Sequence, residues 1–266
     1  MKKENAIVIV GTSNYFLLAI RLINNLIFKC NSNFKIYFLS DTDPYEYLPD
    51  GSIDKVEYIN VEHNNNFNDS MMYKFTGIDI AYSDGYEKIY YIDADTKIVN
   101  SFSLSDIFSE FMTIYHVLND FDQINYEKLT FEKNKNCMAY FDINTLKTPI
   151  YYHARFFSGT KENMNLLCKT INNWHRIDKK NNITPVWNDE SYFNKFLNVI
   201  FDKKITTIKY DNNILLEDQG IDSGHIEGKL KTPMGEYDMD ILKEDIKFIK
   251  DKPFEIRNGR AFTITI

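Results

Sequence analysis

The sequence predicts an α/β fold built on a single mixed, mostly parallel sheet flanked by helices, and three observations predict it. Short apolar runs alternate with stretches of helical periodicity through the first 95 residues. The first of these runs is apolar at every position, as in a strand buried on both faces. Small polar or glycine turns punctuate the runs.

Taken in order, Ala6 to Val10 (AIVIV) reads as the first strand, and Gly11-Thr12-Ser13 as the turn that ends it. Tyr15 to Phe28 then carries apolar residues around a helix, with Arg21 and Asn24-Asn25 expected on its wet side. Lys35 to Leu39 (KIYFL) is a second strand closing on Ser40-Asp41, and Val56 to Val61 a third. The polar run from His63 to Asn66 reads as a surface loop, Ser70 to Tyr82 as a helix, and Lys88 to Ile92 (KIYYI) as a fourth strand. In the second half, strand-like runs at Met112 to Val117, Cys137 to Phe141 and Tyr151 to Phe157 precede helices at about 160–178 and 187–200. A further strand is expected near 204–209, and 211–260 reads as a polar, irregular wrap on the surface.

At 266 residues the chain is long enough for a substantial core in one large domain or two small ones. A charged share of 26% beside a hydrophobic share of 44% excludes a disordered, collagenous or coiled-coil chain. The net charge of −7 gives no general attraction for nucleic acid or anionic lipid, so any phosphate the chain binds needs a local site, such as a metal. Aromatic residues reach 15%, enough to line a core and also to offer flat faces to sugars or bases. Cys30, Cys137 and Cys168 are odd in number and widely spaced, which argues against a disulfide framework and for three buried thiols in a reducing compartment. The opening residues do not form a secretion signal, and Tyr15 to Ile20 is cut by Arg21 well short of the ~20 residues that span a bilayer. The expectation is a cytoplasmic protein with no membrane insertion.

In open α/β sheets ligands sit beyond the carboxyl ends of the strands, which makes Gly11-Thr12-Ser13, Ser40-Asp41 and Asp93-Ala94-Asp95 candidate loops. The sharpest is Asp93-Ala94-Asp95. An apolar strand delivers two carboxylates, two residues apart, into that crevice, and such hard oxygen ligands suit Mg²⁺ or Mn²⁺ bridging to a diphosphate. The competing reading is a strand end whose carboxylates make turn hydrogen bonds. A second signal is Pro185-Val186-Trp187-Asn188-Asp189-Glu190-Ser191. Thr184-Pro185 suits a helix start with Asp189 and Glu190 in the favoured first turn and Trp187 as a core anchor. Alternatively Trp187 offers a sugar a flat face, and Glu190 offers a carboxylate to an anomeric carbon in glycosyl transfer. His63, His175 and His225 show no metal-ligand spacing, and the chain has neither a P-loop nor a GxSxG elbow.

YYHARFFSGT (151–160), NNWHRID (172–178) and ITPVWNDESYFNKFL (183–197) together resemble glycosyltransferase family 6. These are retaining α1,3-galactosyl- and N-acetylgalactosaminyltransferases that include the blood-group A and B enzymes and bacterial relatives. LTFEKNKNCMAYF (129–141), the IDAD segment and SMMYKF (70–75) extend the likeness over nearly the whole chain. The resemblance implies a Rossmann-like GT-A fold in one catalytic domain, 1–266, with a nucleotide-binding half at 1–95, an acceptor and catalytic half at 96–240 and a tail at 241–266. It implies a UDP-sugar donor, UDP-Gal or UDP-GalNAc, and a galactose-terminated oligosaccharide acceptor, fucosylated as in the H antigen.

By the same resemblance Asp93 and Asp95 hold Mn²⁺ or Mg²⁺ on the UDP diphosphate, with Ala94 between them beside the donor. Glu190 is the catalytic carboxylate, either as a nucleophile or as an ion-pair stabiliser in a front-face reaction. Val10, Gly11, Thr12 and Tyr15 lie against the uridine, Asp189 meets the donor sugar hydroxyls, and His153-Ala154-Arg155-Phe156 matches the tetrapeptide that tunes donor and acceptor choice. His116, Thr130, Trp187 and Glu190 border the acceptor. Asn188, also beside the donor sugar, stands where vertebrate members have His, and Arg155 where a small residue is usual, so both bear on donor choice. Lys250, Lys252 and Arg257 either fold over the diphosphate or form a solvated charged surface. The likeness and the missing anchor together suggest a bacterial enzyme making host-like glycans. Two other readings stand beside this one. The first is a retaining transferase of the lipopolysaccharide and glycogenin type, which needs a metal-ligating His near the C-terminus, with His225 as candidate. The second is a UDP-sugar or glycan binding protein without turnover.

Overall fold

The computed structural model describes residues 3–62, 67–98, 100–115, 131–208, 214–217, 229–232 and 235–238. In chain order its regular elements are β1 (Asn5–Val10), α1 (Phe16–Lys29), β2 (Lys35–Ser40), β3 (Val56–Asn60), α2 (Phe67–Met71), α3 (Tyr73–Ser83), β4 (Lys88–Ile92) and β5 (Thr96–Ile98). They continue with β6 (Phe111–Tyr115), β7 (Tyr152–Thr160), α4 (Lys161–Lys180), α5 (Asn188–Lys195), β8 (Thr206–Ile208), β9 (Leu215–Glu217), β10 (Lys229–Thr232) and β11 (Gly235–Asp238). The main sheet has seven strands in the order β3-β2-β1-β4-β7-β6-β8, and two small two-stranded sheets pair β5 with β9 and β10 with β11. This is the mixed α/β sheet the sequence predicts. The chain divides into two compact units, one of Met1–Glu4, Asn64–Tyr91 and Ile107–Tyr210, the other of Asn5–His63, Ile92–Asp106 and Asp211–Ile266.

The unit that holds β1 is parallel from β1 through β2 to β3. Every residue of β1 is buried, which explains the unbroken apolar run. Gly11 ends it because the chain passes too close to α1 for a side chain. A Cβ there would stand 2.3 Å from Ala19 Cβ and 3.0 Å from the Phe38 ring. Helix α1 is buried nearly all round, and here the structure corrects the expected wet face: Arg21, Asn24 and Asn25 are buried too. The turn at Tyr45–Tyr47 covers that face. Asn24 Nδ2 donates to the Tyr47 carbonyl at 3.1 Å, and the Tyr47 ring meets Phe16 edge-on at 5.3 Å. Of the stretch after residue 211, expected to be irregular, the described residues pair as strands: Leu215–Glu217 antiparallel with β5, and Lys229–Thr232 antiparallel with Gly235–Asp238.

In the other unit β7 runs antiparallel to β6, and β6 parallel to β8. Its core is where the aromatic excess goes. Phe157 lies 5.1 Å from Tyr91, 4.9 Å from Phe193 and 6.4 Å from Phe75, and Phe111 lies 4.9 Å from Phe201. Helix α4 is capped by the Thr160 side chain and carries Glu162 in its first turn with Lys179 and Lys180 in its last, as the helix dipole favours. It buries one face through Met164, Leu167, Cys168, Ile171 and Trp174.

Three elements depart from the sequence reading in this unit. The helix expected over Ser70–Tyr82 starts at Phe67 and is interrupted at Met72, where the bonds Met72 N–Asp69 O (3.1 Å) and Phe75 N–Met72 O (3.1 Å) tighten the chain into a three-residue turn. Cys137–Phe141 is a string of turns and no strand. Its Met138 N–H donates to both oxygens of buried Asp178 at 2.9 Å, so a side chain takes the place of a ladder partner. The helix expected from 187 to 200 is α helix only to Lys195 and continues as a π turn over Phe196–Ile200.

Candidate active site

The acidic motif lies at the start of α5. Helical geometry begins at Asn188, later than Thr184-Pro185 suggested, because Val186 and Trp187 form a turn, closed by Asn188 N–Pro185 O at 3.3 Å, whose amides are held by side chains. Glu132 Oε2 accepts from Val186 N at 2.7 Å, and Ser191 Oγ accepts from Trp187 N at 3.0 Å. Asn188 itself has φ of 43°, a left-handed conformation that asparagine tolerates better than most residues. Asp189 and Glu190 do fall in the first turn, as expected. Trp187 is 50% exposed, which removes the core-anchor reading of that residue.

Glu190 is gripped by the start of β7. Tyr151 Oη donates to Oε1 at 2.7 Å, Ala154 N donates to Oε2 at 2.9 Å, and His153 Nδ1 lies 3.3 Å from Oε2. Burial of this carboxylate raises its pKa, but His153, the Ala154 N–H and the Tyr151 hydroxyl outweigh that and hold it down to about 2. Glu190 is therefore ionised across the whole physiological range, while a fifth of its side chain stays open to solvent. The Tyr151 ring is fixed in turn, meeting Phe131 edge-on at 5.1 Å in a small cluster with Phe141 and Ile143.

A β-bulge brings Ala154 N–H into reach. Thr113 and Ile114 are neighbours on β6, yet they pair with Phe157 and His153 on β7, so Ala154, Arg155 and Phe156 are extra residues in that strand. Thr113 Oγ1 ties the bulge at both ends, to the Phe156 carbonyl at 3.1 Å and the His153 carbonyl at 3.3 Å. Arg155, expected to line a sugar pocket, is 2% exposed.

Asp189 points into the unit, where its Oδ2 accepts from Lys74 Nζ at 2.7 Å. Both side chains are under a tenth exposed, and Lys74 Nζ also sits 4.4 Å from the Tyr91 ring centroid. A cavity of about 260 Å³ lies beside the pair, lined among others by Asn188, Asp189, His175, Asp69 and Lys179. His175 is a packing residue in its wall, edge-on to Tyr192 at 6.3 Å and with Nε2 3.8 Å from Asp69 Oδ1. Under that wall Asp178 accepts from Tyr192 Oη at 2.8 Å and Cys137 Sγ at 3.1 Å.

Of the residues expected at a site, this unit brings together His153, Ala154 and Glu190 around one carboxylate, with Trp187, Asn188 and Asp189 beside it in sequence. The other unit holds Val10, Gly11, Thr12 and Tyr15 at the end of β1. There the Ser13 N–H donates to Asp41 Oδ1 at 3.0 Å and Ser40 Oγ to the Gly11 carbonyl at 2.7 Å, so the first two predicted loops do meet. Asp93, Ala94 and Asp95 follow β4 in a turn closed by Thr96 N–Asp93 O at 3.0 Å, with Asp93 half-buried and Asp95 buried. Among the described residues no three His, Cys, Asp or Glu side chains gather into a metal cage. Two hard carboxylates on a partly open turn fit a divalent ion of the Mg²⁺ or Mn²⁺ kind, which completes its shell with substrate phosphates and water. His63, His116, Thr130, His225, Lys250, Lys252 and Arg257 lie outside the described residues.

Sequence reasoning missed Tyr151, Lys74, Glu132 and Asp178 as parts of the site's frame. Each lies within a stretch whose composition looked conspicuous, but only the tertiary fold shows what it holds.

The α/β fold thus presents a glutamate held ionised at a helix start beside a half-exposed tryptophan. The family model for glycosyltransferase family 6 matches residues 32–219, and the chain belongs to this family. It is accordingly a glycosyltransferase, a transferase enzyme. Among the described residues no helix is long and apolar enough to cross a membrane.

Proposed function

We propose that the chain is a retaining glycosyltransferase that moves Gal or GalNAc from a UDP-sugar, in α1,3 linkage, to a galactose-terminated acceptor of the fucosylated, H-antigen type. The observation that carries the chemistry is the ionised Glu190 carboxylate, held on one side by β7 and a fifth open to solvent. Departure of UDP leaves positive charge on the anomeric carbon, and a carboxylate held ionised without solvent reorganisation stabilises it, as nucleophile or as ion-pair partner. Trp187 offers an exposed flat face to the apolar side of the acceptor sugar. Asp189 and Asn188, lining the cavity beside the α5 start, are assigned to donor-sugar hydroxyls, and His153-Ala154 to donor choice; Arg155, buried, would bear on it only through packing.

Asp93 and Asp95 are assigned as the ligands of a divalent ion, which when bound neutralises the UDP leaving group. The Val10-Gly11-Thr12 turn with Tyr15 is assigned to the uridine, and the basic tail residues Lys252 and Arg257 to the diphosphate. The resemblance of the motifs to the family that includes the blood-group transferases supports a host-like glycan as product.

The test is a donor panel of UDP-Gal, UDP-GalNAc, UDP-Glc and UDP-GlcNAc with a 2′-fucosyl-galactose acceptor, with Mn²⁺ and with EDTA. Glu190→Gln should lose orders of magnitude in kcat while still binding UDP, and normal turnover by that variant refutes its role. Full activity in EDTA refutes the metal assignment.

A further inference from the structure

We propose that Tyr151 is a positioning residue for the reaction, fixing the rotation of the Glu190 carboxylate through the hydrogen bond to Oε1; the proposal rests on Glu190 being the reacting carboxylate. The two oxygens are held differently. Oε2 faces the bulge, receiving the Ala154 N–H at 2.9 Å and lying 3.3 Å from His153 Nδ1. Those contacts fix one oxygen and leave the carboxylate plane able to swing about it. The Tyr151 hydroxyl, 2.7 Å from Oε1, supplies the second point that defines the plane. Oε1 thereby carries a short charge-assisted bond whose donor can lengthen as negative charge is drawn toward the anomeric carbon, so the bond sets orientation and also tunes how much charge the oxygen offers.

The ring is built to be rigid. Tyr151 is 3% exposed, seated edge-on against Phe131, which itself meets Phe141 edge-on at 5.3 Å. The neighbouring Glu132 holds Val186 N at 2.7 Å, just ahead of Trp187. One short segment, Phe131–Glu132, therefore braces both the phenol that aims Glu190 and the backbone that presents Trp187.

The test uses the full chain and the donor that supports turnover in the panel. Tyr151→Phe keeps the ring on Phe131 and removes only the donor. It should lower kcat about 10- to 100-fold with donor KM within about twofold of wild type, and should lower the thermal midpoint by only a few degrees because Ala154 and His153 still hold the carboxylate, as expected for a hydrogen bond to a charged group that acts in the transition state. Replacing Tyr151 with 3-fluorotyrosine and 3,5-difluorotyrosine, assayed below their phenol pKa values, keeps ring and hydroxyl and changes only the acidity of the donor. The logarithm of kcat should then shift monotonically with that acidity, a readout that packing alone does not move, and one that serves if Tyr151→Phe fails to fold. A Tyr151→Phe kcat within about threefold of wild type, a loss that falls on KM, or a flat response to fluorination overturns the proposal. If Glu190→Gln is inactive while Tyr151→Phe behaves as wild type, only the role of Tyr151 fails. If Glu190→Gln is active, the reading of Glu190 fails first.

Discussion

Replacing Lys74 with Met tests whether the frame beneath α5 depends on a desolvated ion pair. Methionine keeps most of the length and the apolar stem of lysine, so packing over Tyr91 largely survives and the charge is what disappears. Lys74 Nζ lies 2.7 Å from Asp189 Oδ2, with the two side chains 3% and 8% exposed. Removing one member of so buried a pair costs about 3–5 kcal/mol, because the remaining charge keeps its desolvation penalty and loses its closest counter-ion. Loss of the cation from the Tyr91 face adds about 0.5–2 kcal/mol. Against a typical stability of about 5–15 kcal/mol this is a large fraction. With a urea m value near the upper end for small proteins, about 3 kcal/mol per M, the unfolding midpoint should fall by about 1–2 M. Equilibrium urea unfolding followed by circular dichroism measures it. Adding Asp189→Asn to Lys74→Met should recover at least half of the loss, since the second substitution removes the stranded anion. A Lys74→Met midpoint within about 0.3 M of wild type would show that water screens the pair after all, and would refute this account of the α5 start.

Glu190 makes stability depend on acid. Its folded pKa of about 2 lies below the ordinary value of 4.5, so its contribution is complete above about pH 5 and lost as pH falls toward 2, worth about 3 kcal/mol in all. Glu190→Gln should flatten the stability–pH curve in that window, as urea midpoints between pH 2 and 6 would reveal; a curve parallel to wild type refutes the assigned pKa. Trp187→Ala, at a half-exposed position, should leave stability within about 0.5 kcal/mol but raise acceptor KM at least tenfold without changing donor hydrolysis. An acceptor KM that stays at the wild-type value removes Trp187 from the acceptor site.

Much of the fold was legible because β1, β2 and β4 are buried on both faces. AIVIV and KIYYI cannot sit half in water, and the turns after them include a glycine that tertiary contact forces. The misread segments are those where a side chain does work that periodicity leaves unmarked. Arg21, Asn24 and Asn25 break the apolar pattern of α1 and so look solvated, yet all three are buried, Asn24 on the carbonyl of a turn more than twenty residues away. Cys137–Phe141 looks like a strand, but Asp178 satisfies its backbone across a sequence gap of 40 residues. Trp187 shows the converse, since a large aromatic beside an apolar valine suggests burial and is half exposed. At the site, VWNDES pointed to Glu190 and YYHARF to His153 and Ala154, but that they and Tyr151 converge on that one carboxylate was hidden, because Ala154 acts through a bulge and Tyr151 through a phenol aimed by tertiary packing. A bulge changes which atoms meet without leaving a distinctive residue type behind.

The way that bulge is fastened bears on how substrate choice could drift. Thr113 ties it through the carbonyls of His153 and Phe156, and Ala154 reaches Glu190 through its amide. All three are main-chain atoms that other amino acids would also supply, proline at position 154 excepted. Substitution of Ala154 or Arg155 by residues other than proline therefore leaves the bulge pinned and the amide on Glu190, whereas His153 also meets that carboxylate with its side chain and is not exchangeable in the same way. Tolerance and constraint thus alternate between adjacent residues of one bulge, according to whether the main chain or the side chain makes the bond.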